Sequence, residues 1–298
     1  MTFSSPLYPF ESHALDREGL RYHYLDEGTG DPVLMLHGNP SWSFYYRDLV
    51  KALRTDHRVI VPDHIGMGLS DKPGDDRYDY RLESRIADVE RLVSSLGLRR
   101  ITLVLHDWGG MIGMGYAARH PENVARIVLL NTAAFHLPDD VRVPSALRFV
   151  RDSTLGAFSV RGMNAFARGA VIVGCKKKRL SSEERAAYLA PYDSWTDRIA
   201  TLRFVQDIPL APSDPSYALV SSIEAALPRF ASLPLLVCWG ERDFVFSPHV
   251  LAHWLTRWPE AEVHRFPDAG HYVLEDEGPA IATLVRTFLA AHPLERDA

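Results

Sequence analysis

The sequence predicts an α/β protein whose mostly parallel sheet is flanked by helices and carries an inserted helical cap. Three observations lead to this fold class. Short apolar, β-branched runs alternate with segments of helical period along most of the 298 residues, which is the pattern of a parallel sheet covered on both faces. The alternation stops between about residues 135 and 228, where the period is helical. Hydrophobic residues make up 46% of the chain and charged residues 24%, as in folded globular proteins.

Seven runs have the length and composition of strands, and five segments outside the insertion have helical period. Strands are predicted at 20–25, 33–37, 59–62, 101–106, 126–131, 235–239 and 262–266. Helices are predicted at 43–54, 83–96, 109–119, 248–257 and 279–291. Gly97, Pro121 and Pro259 follow the second, third and fourth of these helices, and glycine or proline is the usual residue after a helix ends.

The interruption divides the chain into a sheet core, residues 1–134 and 229–298, and a helical cap, residues 135–228. A cap over the carboxyl ends of parallel strands would enclose an apolar pocket there. We expect Tyr192, Trp195 and Phe204 to line this pocket, although most aromatic residues of such a stretch pack into its own core. The basic run at 176–179 (KKKR) is interpreted as a solvated loop or helix end, with an anion or partner contact as the alternative.

Composition excludes several classes of protein. A net charge of −5 argues against nucleic acid as a partner. No apolar run approaches the roughly 18 residues that a membrane span requires. Cys175 and Cys238, the only cysteines, form neither a disulfide framework nor a usable metal site. The first 13 residues lack the basic and apolar regions of a secretory signal, so we expect a cytoplasmic protein without metal or cofactor.

The segment at 105–110 (LHDWGG) lies between a predicted strand and a predicted helix. The nucleophile elbow of α/β-hydrolases has this layout: a strand, the nucleophile, one variable residue, a glycine and a helix. Its tight turn exposes the central side chain. Here that side chain is Asp107, and Leu105 stands where the general motif has its first glycine. An aspartate that only caps the helix is the alternative interpretation.

Two further motifs follow predicted strands. The segment at 37–40 (HGNP) stands where α/β-hydrolases contribute one N–H to an oxyanion hole, beside the residue after the nucleophile, here Trp108. Asp243 and then His271 follow the last two strands, so the chain order is nucleophile, acid, histidine, as in this fold. Asp243 would orient His271 and stabilise its charged form. A plain turn and a surface histidine are the alternatives for the separate motifs, but the assembled set predicts a catalytic triad.

An aspartate nucleophile limits the kinds of substrate that the site can attack. Aspartate is ionised at neutral pH, so it can attack an sp³ carbon from behind and leave a covalent ester. Alkyl halides, epoxides and strained lactones are the substrates that this attack suits. The Trp108 indole N–H and the Asn39 side-chain amide are donors that would stabilise the halide, alkoxide or carboxylate released.

At these motifs the chain resembles the haloalkane dehalogenase branch of the α/β-hydrolases. The resemblance runs from about residue 7 to about residue 289 and is carried by MLHGNPSWSFYYR at 35–47, PDHIGMGLSDKP at 62–73, HDWGGMIG at 106–113 and DAGHYVLED at 268–276. Within that branch it is closest to the β-lactone decarboxylases of olefin biosynthesis, on NTAAF at 131–135, APYDSW at 190–195 and RFVQDIPL at 203–210.

The resemblance implies Asp107 as nucleophile, Asp243 as acid, His271 as base, and Asn39 with Trp108 as the pair that stabilises the leaving group. Asn131 stands where one dehalogenase subgroup has its acidic residue. The implied activity is decarboxylation of cis-3,4-dialkyl β-lactones to cis-olefins, a lyase reaction on a small hydrophobic substrate. The implied partners are the lactone synthetase and other enzymes of that pathway.

Two other activities stay open at the level of sequence. A haloalkane dehalogenase would use the same catalytic residues to hydrolyse alkyl halides to alcohols. An epoxide hydrolase also uses a His-Asp-Trp-Gly motif, and Tyr188, Tyr192 and Tyr217 of the cap are candidates for the tyrosines that such an enzyme needs.

Overall fold

The computed structural model describes residues 3–138 and 140–294 and is built on one eight-stranded sheet. The strands are β1 His13–Arg17, β2 Leu20–Glu27, β3 Asp31–Leu36, β4 His57–Pro62, β5 Ile101–Asp107, β6 Val124–Thr132, β7 Leu235–Gly240 and β8 Glu262–Phe266. Their order in the sheet is β1-β2-β4-β3-β5-β6-β7-β8. β2 pairs antiparallel with β1 and β4, and every later pair in the order is parallel. The carboxyl ends of β3, β5, β6 and β7 therefore meet at one edge, where such sheets carry their sites.

Helices cover both faces of this sheet. They are α1 Arg47–Leu53, α2 Leu82–Ser95, α3 Trp108–Arg119, α4 Ser145–Asp152, α5 Thr154–Met163, α6 Ala165–Val173, α7 Ser182–Leu189, α8 Ile199–Gln206, α9 Tyr217–Ala226, α10 Pro248–Leu255 and α11 Val273–Ala291. Side chains alternate along β3: Leu34 and Leu36 join the core beneath α2 and α3, whereas Val33 and Met35 join the core beneath α1 and α11. This alternation follows from the two-residue period of a strand and confirms a sheet that is buried on both faces.

All seven predicted strands and five predicted helices are present, all but the strand at 262–266 with shifted ends. The predicted helix at 43–54 is a 3₁₀ turn, Ser43–Tyr46, followed by α1. The last helix begins at Val273, before the predicted 279, and is bent at Glu277, two residues ahead of Pro279, because proline disrupts helical hydrogen bonding. Strand β1 was not predicted, since its sequence HALDR is largely polar and its residues are only half-buried or exposed.

The cap segment, residues 135–228, contributes helices α4 to α9 between β6 and β7. Among its described residues there is no strand. Asp207 ties it to the core, because its carboxylate accepts hydrogen bonds from the Arg85 side chain and the Leu82 N–H of α2. None of the described helices is long and apolar enough to cross a bilayer.

The basic run at 176–179 forms a clamp between the cap segment and α11. The Asp276 carboxylate accepts hydrogen bonds from the backbone N–H groups of Lys176, Lys177 and Lys178, at 2.8 to 3.1 Å, and from that of Gly270 at 2.8 Å. The four lysine and arginine side chains of the run are exposed, as expected for a solvated loop. The backbone of the run is nevertheless an anion-binding site that a carboxylate of the same chain fills.

Candidate active site

The turn between β5 and α3 holds Asp107 in a conformation that is rare for a residue with a side chain. Its φ is 52° and its ψ −123°, and strain of this kind concentrates at functional sites. A Cβ atom at Gly109 would lie 1.9 Å from the Leu36 carbonyl oxygen, and one at Gly110 would lie 1.9 Å from the Thr132 hydroxyl. The turn is therefore possible only because these two residues are glycines.

Leu105 takes the place of the first glycine of the general elbow without opening the turn. Its buried side chain lies against Gly113 of α3, where an added Cβ would come within 2.3 Å of Leu105 Cδ2. The missing glycine before the nucleophile is thus matched by a glycine six residues after it, on α3.

The Asp107 carboxylate points into a pair of backbone donors. Oδ1 accepts a hydrogen bond from the Asn39 N–H at 2.7 Å, and the backbone N–H of Trp108 favours the charged form of this carboxylate. A Cβ at Gly38 would lie 1.9 Å from Oδ1, so the glycine of the HGNP segment makes room for the nucleophile. Burial raises the pKa of Asp107 above its ordinary value, and His271 with the two N–H donors offsets part of that rise. A poorly hydrated carboxylate held by one oxygen leaves the other free to attack.

His271 stands between the two predicted carboxylates. Its Nδ1 lies 2.8 Å from Asp243 Oδ2, and its Nε2 lies 3.7 Å from Asp107 Oδ2. Asp243 Oδ1 accepts hydrogen bonds from the N–H groups of Val245 and Phe246, at 2.7 and 3.1 Å. The three residues predicted to form the triad are brought together, with the histidine edge facing the nucleophile.

Asp243 raises the pKa of His271. Burial lowers this pKa, but the charge and hydrogen bond of Asp243, with a smaller contribution from Asp107, raise it above the ordinary 6.5. In Asp243→Asn the charge is lost while the burial remains, so we expect the pKa of His271 to fall below 6.5. Because the histidine would then lose its proton at lower pH, the midpoint in an NMR titration of its ring protons should move toward acid. A midpoint unchanged from that of the wild type would contradict the proposed pairing.

Two further residues hold the triad in place. Asn131 donates from Nδ2 to Asp243 Oδ2 at 3.0 Å and accepts from the Gly240 N–H at 2.8 Å. His106, fully buried, hydrogen-bonds through Nε2 to the His271 carbonyl oxygen at 2.9 Å. Burial lowers the pKa of His106 well below 6.5, so the ring is neutral and donates this bond. The segments at 105–110 and 131–135 contain His106 and Asn131, but only the fold reveals their hydrogen-bond partners.

Asn39 and Trp108 both border the reacting side of Asp107. One amide hydrogen of Asn39 is used in a 3.0 Å bond from Nδ2 to the Thr201 carbonyl of α8, and Oδ1 has no partner among the described residues. The Trp108 ring packs edge-on against Phe204, with centroids 5.4 Å apart. The second amide hydrogen of Asn39 and the indole N–H of Trp108 are the donors that remain for a leaving group.

A cavity of about 720 Å³ opens above these residues. Asn39, Asp107, Trp108 and His271 form its polar end. The rest of its wall is mostly apolar and comes from the cap segment, α3 and the loop after β7, with side chains that include Met111, Leu147, Val150, Phe166, Ile208 and Phe246. Such a shape suits a substrate that is mostly hydrocarbon with one reactive polar group.

The three cap residues predicted to line the pocket do not line this cavity, so that prediction was wrong in detail. Tyr192 is fully buried beside Ser41, and Phe204 supports Trp108 from behind. Trp195 is 46% exposed and packs against Phe158 on the outer surface. Each is aromatic and belongs to a cap helix or loop, but the rotation of that element turns it away from the cavity.

Metal-ligating side chains are not clustered at this site or elsewhere in residues 3–138 and 140–294, where no group of three or more of them could hold an ion. The chemistry that the described arrangement offers is nucleophilic attack by Asp107, with N–H donors beside it and a histidine in its charged or neutral form across from it.

Comparisons with known proteins agree with this arrangement. A family model described as the alpha/beta hydrolase fold matches residues 31–278. A protein of Shewanella oneidensis named cis-3-alkyl-4-alkyloxetan-2-one decarboxylase is 57% identical over 284 residues, which cover 95% of this chain and 89% of that protein. A protein of the same name from Xanthomonas campestris is 48% identical over 97% of this chain and 99% of its own. The crystal structure of a haloalkane dehalogenase from Bradyrhizobium elkani superposes with a TM-score of 0.80 at 28% identity, over 95% of this chain and 99% of that one.

Proposed function

The chain belongs to the haloalkane dehalogenase-like branch of the α/β-hydrolase fold family, and we propose that it converts cis-3-alkyl-4-alkyloxetan-2-ones to cis-olefins and carbon dioxide. The observation that carries the proposal is a buried aspartate nucleophile at the polar end of an apolar cavity of about 720 Å³, in a chain 57% and 48% identical to two decarboxylases of that class.

In the first step, Asp107 Oδ2 attacks the sp³ ring carbon that is bonded to the ring oxygen, from the side opposite that oxygen. The new bond joins this carbon to Asp107, and the carbon–oxygen bond of the ring breaks. The ring oxygen leaves as part of a free carboxylate, and relief of ring strain drives the step. Asn39 and Trp108 donate hydrogen bonds to that carboxylate as its charge develops.

In the second step, the ester oxygen on one carbon lies anti to the carboxylate on the next. The bond from carbon to the carboxylate breaks, its electrons form the double bond, and the bond to Asp107 breaks in turn. Carbon dioxide leaves and Asp107 is again a free carboxylate. Inversion followed by anti elimination leaves both alkyl groups on the same side, so a cis lactone yields a cis olefin. No water, oxidant or reductant takes part.

His271 then acts as an electrostatic support instead of a base. Its raised pKa favours a positive ring 3.7 Å from Asp107 Oδ2, which stabilises the carboxylate form of Asp107 as it leaves the product. Asp243 and Asn131 are positioning residues in this scheme, because they hold the ring at this distance.

Haloalkane dehalogenation is the second candidate, and the same distance supports it. A neutral His271 with Nε2 toward Asp107 is placed to activate a water that hydrolyses the alkyl ester. The two reactions share the first step and differ in the fate of the ester, so product and label identify the activity.

Single turnover in oxygen-18 water separates the two candidates. With a long-chain cis-β-lactone we expect olefin and carbon dioxide, and no label in the peptide that contains Asp107, because elimination leaves its oxygens untouched. With 1-bromoalkanes assayed in parallel we expect little alcohol. Label in the Asp107 peptide together with an alcohol product from the lactone would overturn the decarboxylase proposal.

The His271→Gln variant tests separately whether the second step needs water. If water is not needed, this variant should still release olefin from the lactone, more slowly than the wild type. A 1-bromoalkane that reacts at all should instead leave the alkyl ester trapped on Asp107, visible as added mass in the intact protein. A stable ester from the lactone would contradict elimination as the second step.

An epoxide hydrolase is less well supported by the cap tyrosines. Tyr217 lines the cavity, but the Tyr188 hydroxyl is bound to Glu275 and the Tyr192 hydroxyl faces Ser41. A pair of tyrosines facing Asp107 is what that reaction would use to protonate an epoxide oxygen, and Tyr188 and Tyr192 are not placed for it.

Three broader features remain part of the proposal. The chain divides into a core at 1–134 and 229–298 and a cap at 135–228. The protein works in the cytoplasm. It assembles with the synthetase that makes its lactone and with other enzymes of the same pathway, since a lactone-forming reaction must supply its substrate.

A further inference from the structure

Large hydrophobic side chains are exposed in one region of the molecule. Within the described residues, eight of them are 40% to 70% exposed. All but one belong to the cap segment, and the exception is in the loop between β7 and α10: Phe149, Leu155, Phe158, Met163, Ile172, Val173, Trp195 and Phe244. A concentration of this kind in one segment marks an interaction surface, because scattered exposed residues would be distributed over the whole chain.

Three of these side chains also line the catalytic cavity. Phe149, Val173 and Phe244 are each 40% to 47% exposed and are part of the cavity wall, so they mark its mouth. Leu155 and Phe158 are three residues apart on α5, and Ile172 adjoins Val173 on α6. The mouth of the cavity is therefore bordered by exposed apolar side chains.

Basic residues accompany this apolar surface in the same segment and at the cavity mouth. Residues 140–179 contain nine lysines and arginines and two aspartates, although the whole chain has a net charge of −5. Arg148 is exposed and lines the cavity, and the Lys176 ammonium lies 5.9 Å from the centre of the Phe244 ring. Arg168 is exposed one helical turn before Ile172 on α6.

We propose that this surface, defined as residues 148–173 with Lys176 and Phe244 and called the mouth face, docks onto the anionic surface of a lipid bilayer. Its apolar side chains would enter the headgroup region and its arginines and lysines would contact anionic lipid, as in other interfacial proteins. The cavity would then open directly into the phase in which a dialkyl lactone dissolves. The entry of the lactone from the bilayer rests on the proposed function, whereas the docking itself does not.

The charges favour a bilayer over a second copy of the chain. A symmetric dimer through the mouth face would set the same basic residues against each other, and like charges at an interface oppose association. A bilayer with anionic headgroups offers negative charge at its surface and hydrocarbon below it, which matches exposed apolar side chains with basic residues beside them.

Vesicle binding by the full-length protein tests the proposal without any turnover. We expect co-sedimentation with vesicles of phosphatidylcholine and phosphatidylglycerol in equal parts, weaker binding to phosphatidylcholine alone, and a loss of binding at high salt, because salt screens the charge attraction. A wild-type protein that fails to bind the mixed vesicles at low salt would overturn the proposal, whatever reaction the enzyme catalyses.

Substitutions outside the cavity wall locate the contact. Leu155→Glu with Ile172→Glu should abolish binding, and Arg168→Gln should weaken binding to the mixed vesicles about fivefold. The matched controls are Thr283→Glu and Arg286→Gln on α11, which packs against α1, and these should bind like the wild type. All five residues are exposed, so unchanged melting temperatures are expected.

The same experiment also tests whether something other than lipid covers the mouth face. If Leu155→Glu with Ile172→Glu binds vesicles as the wild type does, the mouth face is not the contact. If instead the wild type sediments as a dimer in solution and this double variant as a monomer, the surface is covered by a second copy. Either result contradicts docking to lipid through the mouth face.

Discussion

Replacing Asp107 by asparagine is expected to abolish turnover, with kcat lower by at least about four orders of magnitude. The neutral amide has the shape of the carboxylate and can still accept the hydrogen bond from the Asn39 N–H, now 2.7 Å from Oδ1. It cannot, however, supply the electron pair that opens the ring. The measurement is single-turnover olefin release from a cis-β-lactone, with mass spectrometry of the intact protein to look for the covalent ester.

The same variant should fold at least as well as the wild type. Asp107 is buried, and its pKa is raised because the charged form is poorly solvated, so removing the charge removes a cost of folding. An unchanged or higher melting temperature together with lost activity would mark Asp107 as a residue kept for chemistry. Turnover within tenfold of the wild type would refute its assignment as the nucleophile.

Replacing Asp276 by alanine is expected to lower the free energy of unfolding by about 3 to 5 kcal/mol. Asp276 is 8% exposed, and its carboxylate accepts four backbone hydrogen bonds, three from the run at 176–178 and one from Gly270. Alanine leaves these N–H groups without partners in a partly buried place, which is more costly than the loss of the bonds alone. Urea denaturation followed by circular dichroism measures the change.

Glu277→Ala is the matched control for Asp276→Ala. Its carboxylate is next in sequence and pairs with the Lys177 ammonium at 2.7 Å, but that lysine side chain is 51% exposed. Surface ion pairs of this kind contribute little to stability, so the midpoint of unfolding should hardly move. Equal losses in the two variants would show that the clamp acts only through general charge and not through the four N–H bonds.

The catalytic set is the part of the site that could be predicted before the fold was known. Asp107 ends a strand of the parallel sheet, and Asp243 and His271 each follow one. The carboxyl ends of such strands meet at one edge for any sequence that forms them. Asn39 and Trp108 could be included for the same reason, since they adjoin the turns after β3 and β5.

The supporting residues could not be predicted in this way. Asn131 bridges β7 and Asp243, and Asp276 binds a backbone segment 100 residues before it. These contacts join elements that are distant in sequence, so no local pattern marks them. The run at 176–179 illustrates the point, because its composition suggests a solvated loop while its backbone forms a structural clamp.

The sequence by itself determined the fold class, the order of the catalytic residues and the anionic nature of the nucleophile, because each of these depends on strand ends and residue type. Only the tertiary structure decided which cap side chains face the cavity. Tyr192, Trp195 and Phe204 were as plausible as Phe149 and Phe166, yet the first three are turned inward or outward and the last two line the wall. The physical reason is that a cap helix can present any side to the cavity, and its rotation is set by packing against distant elements.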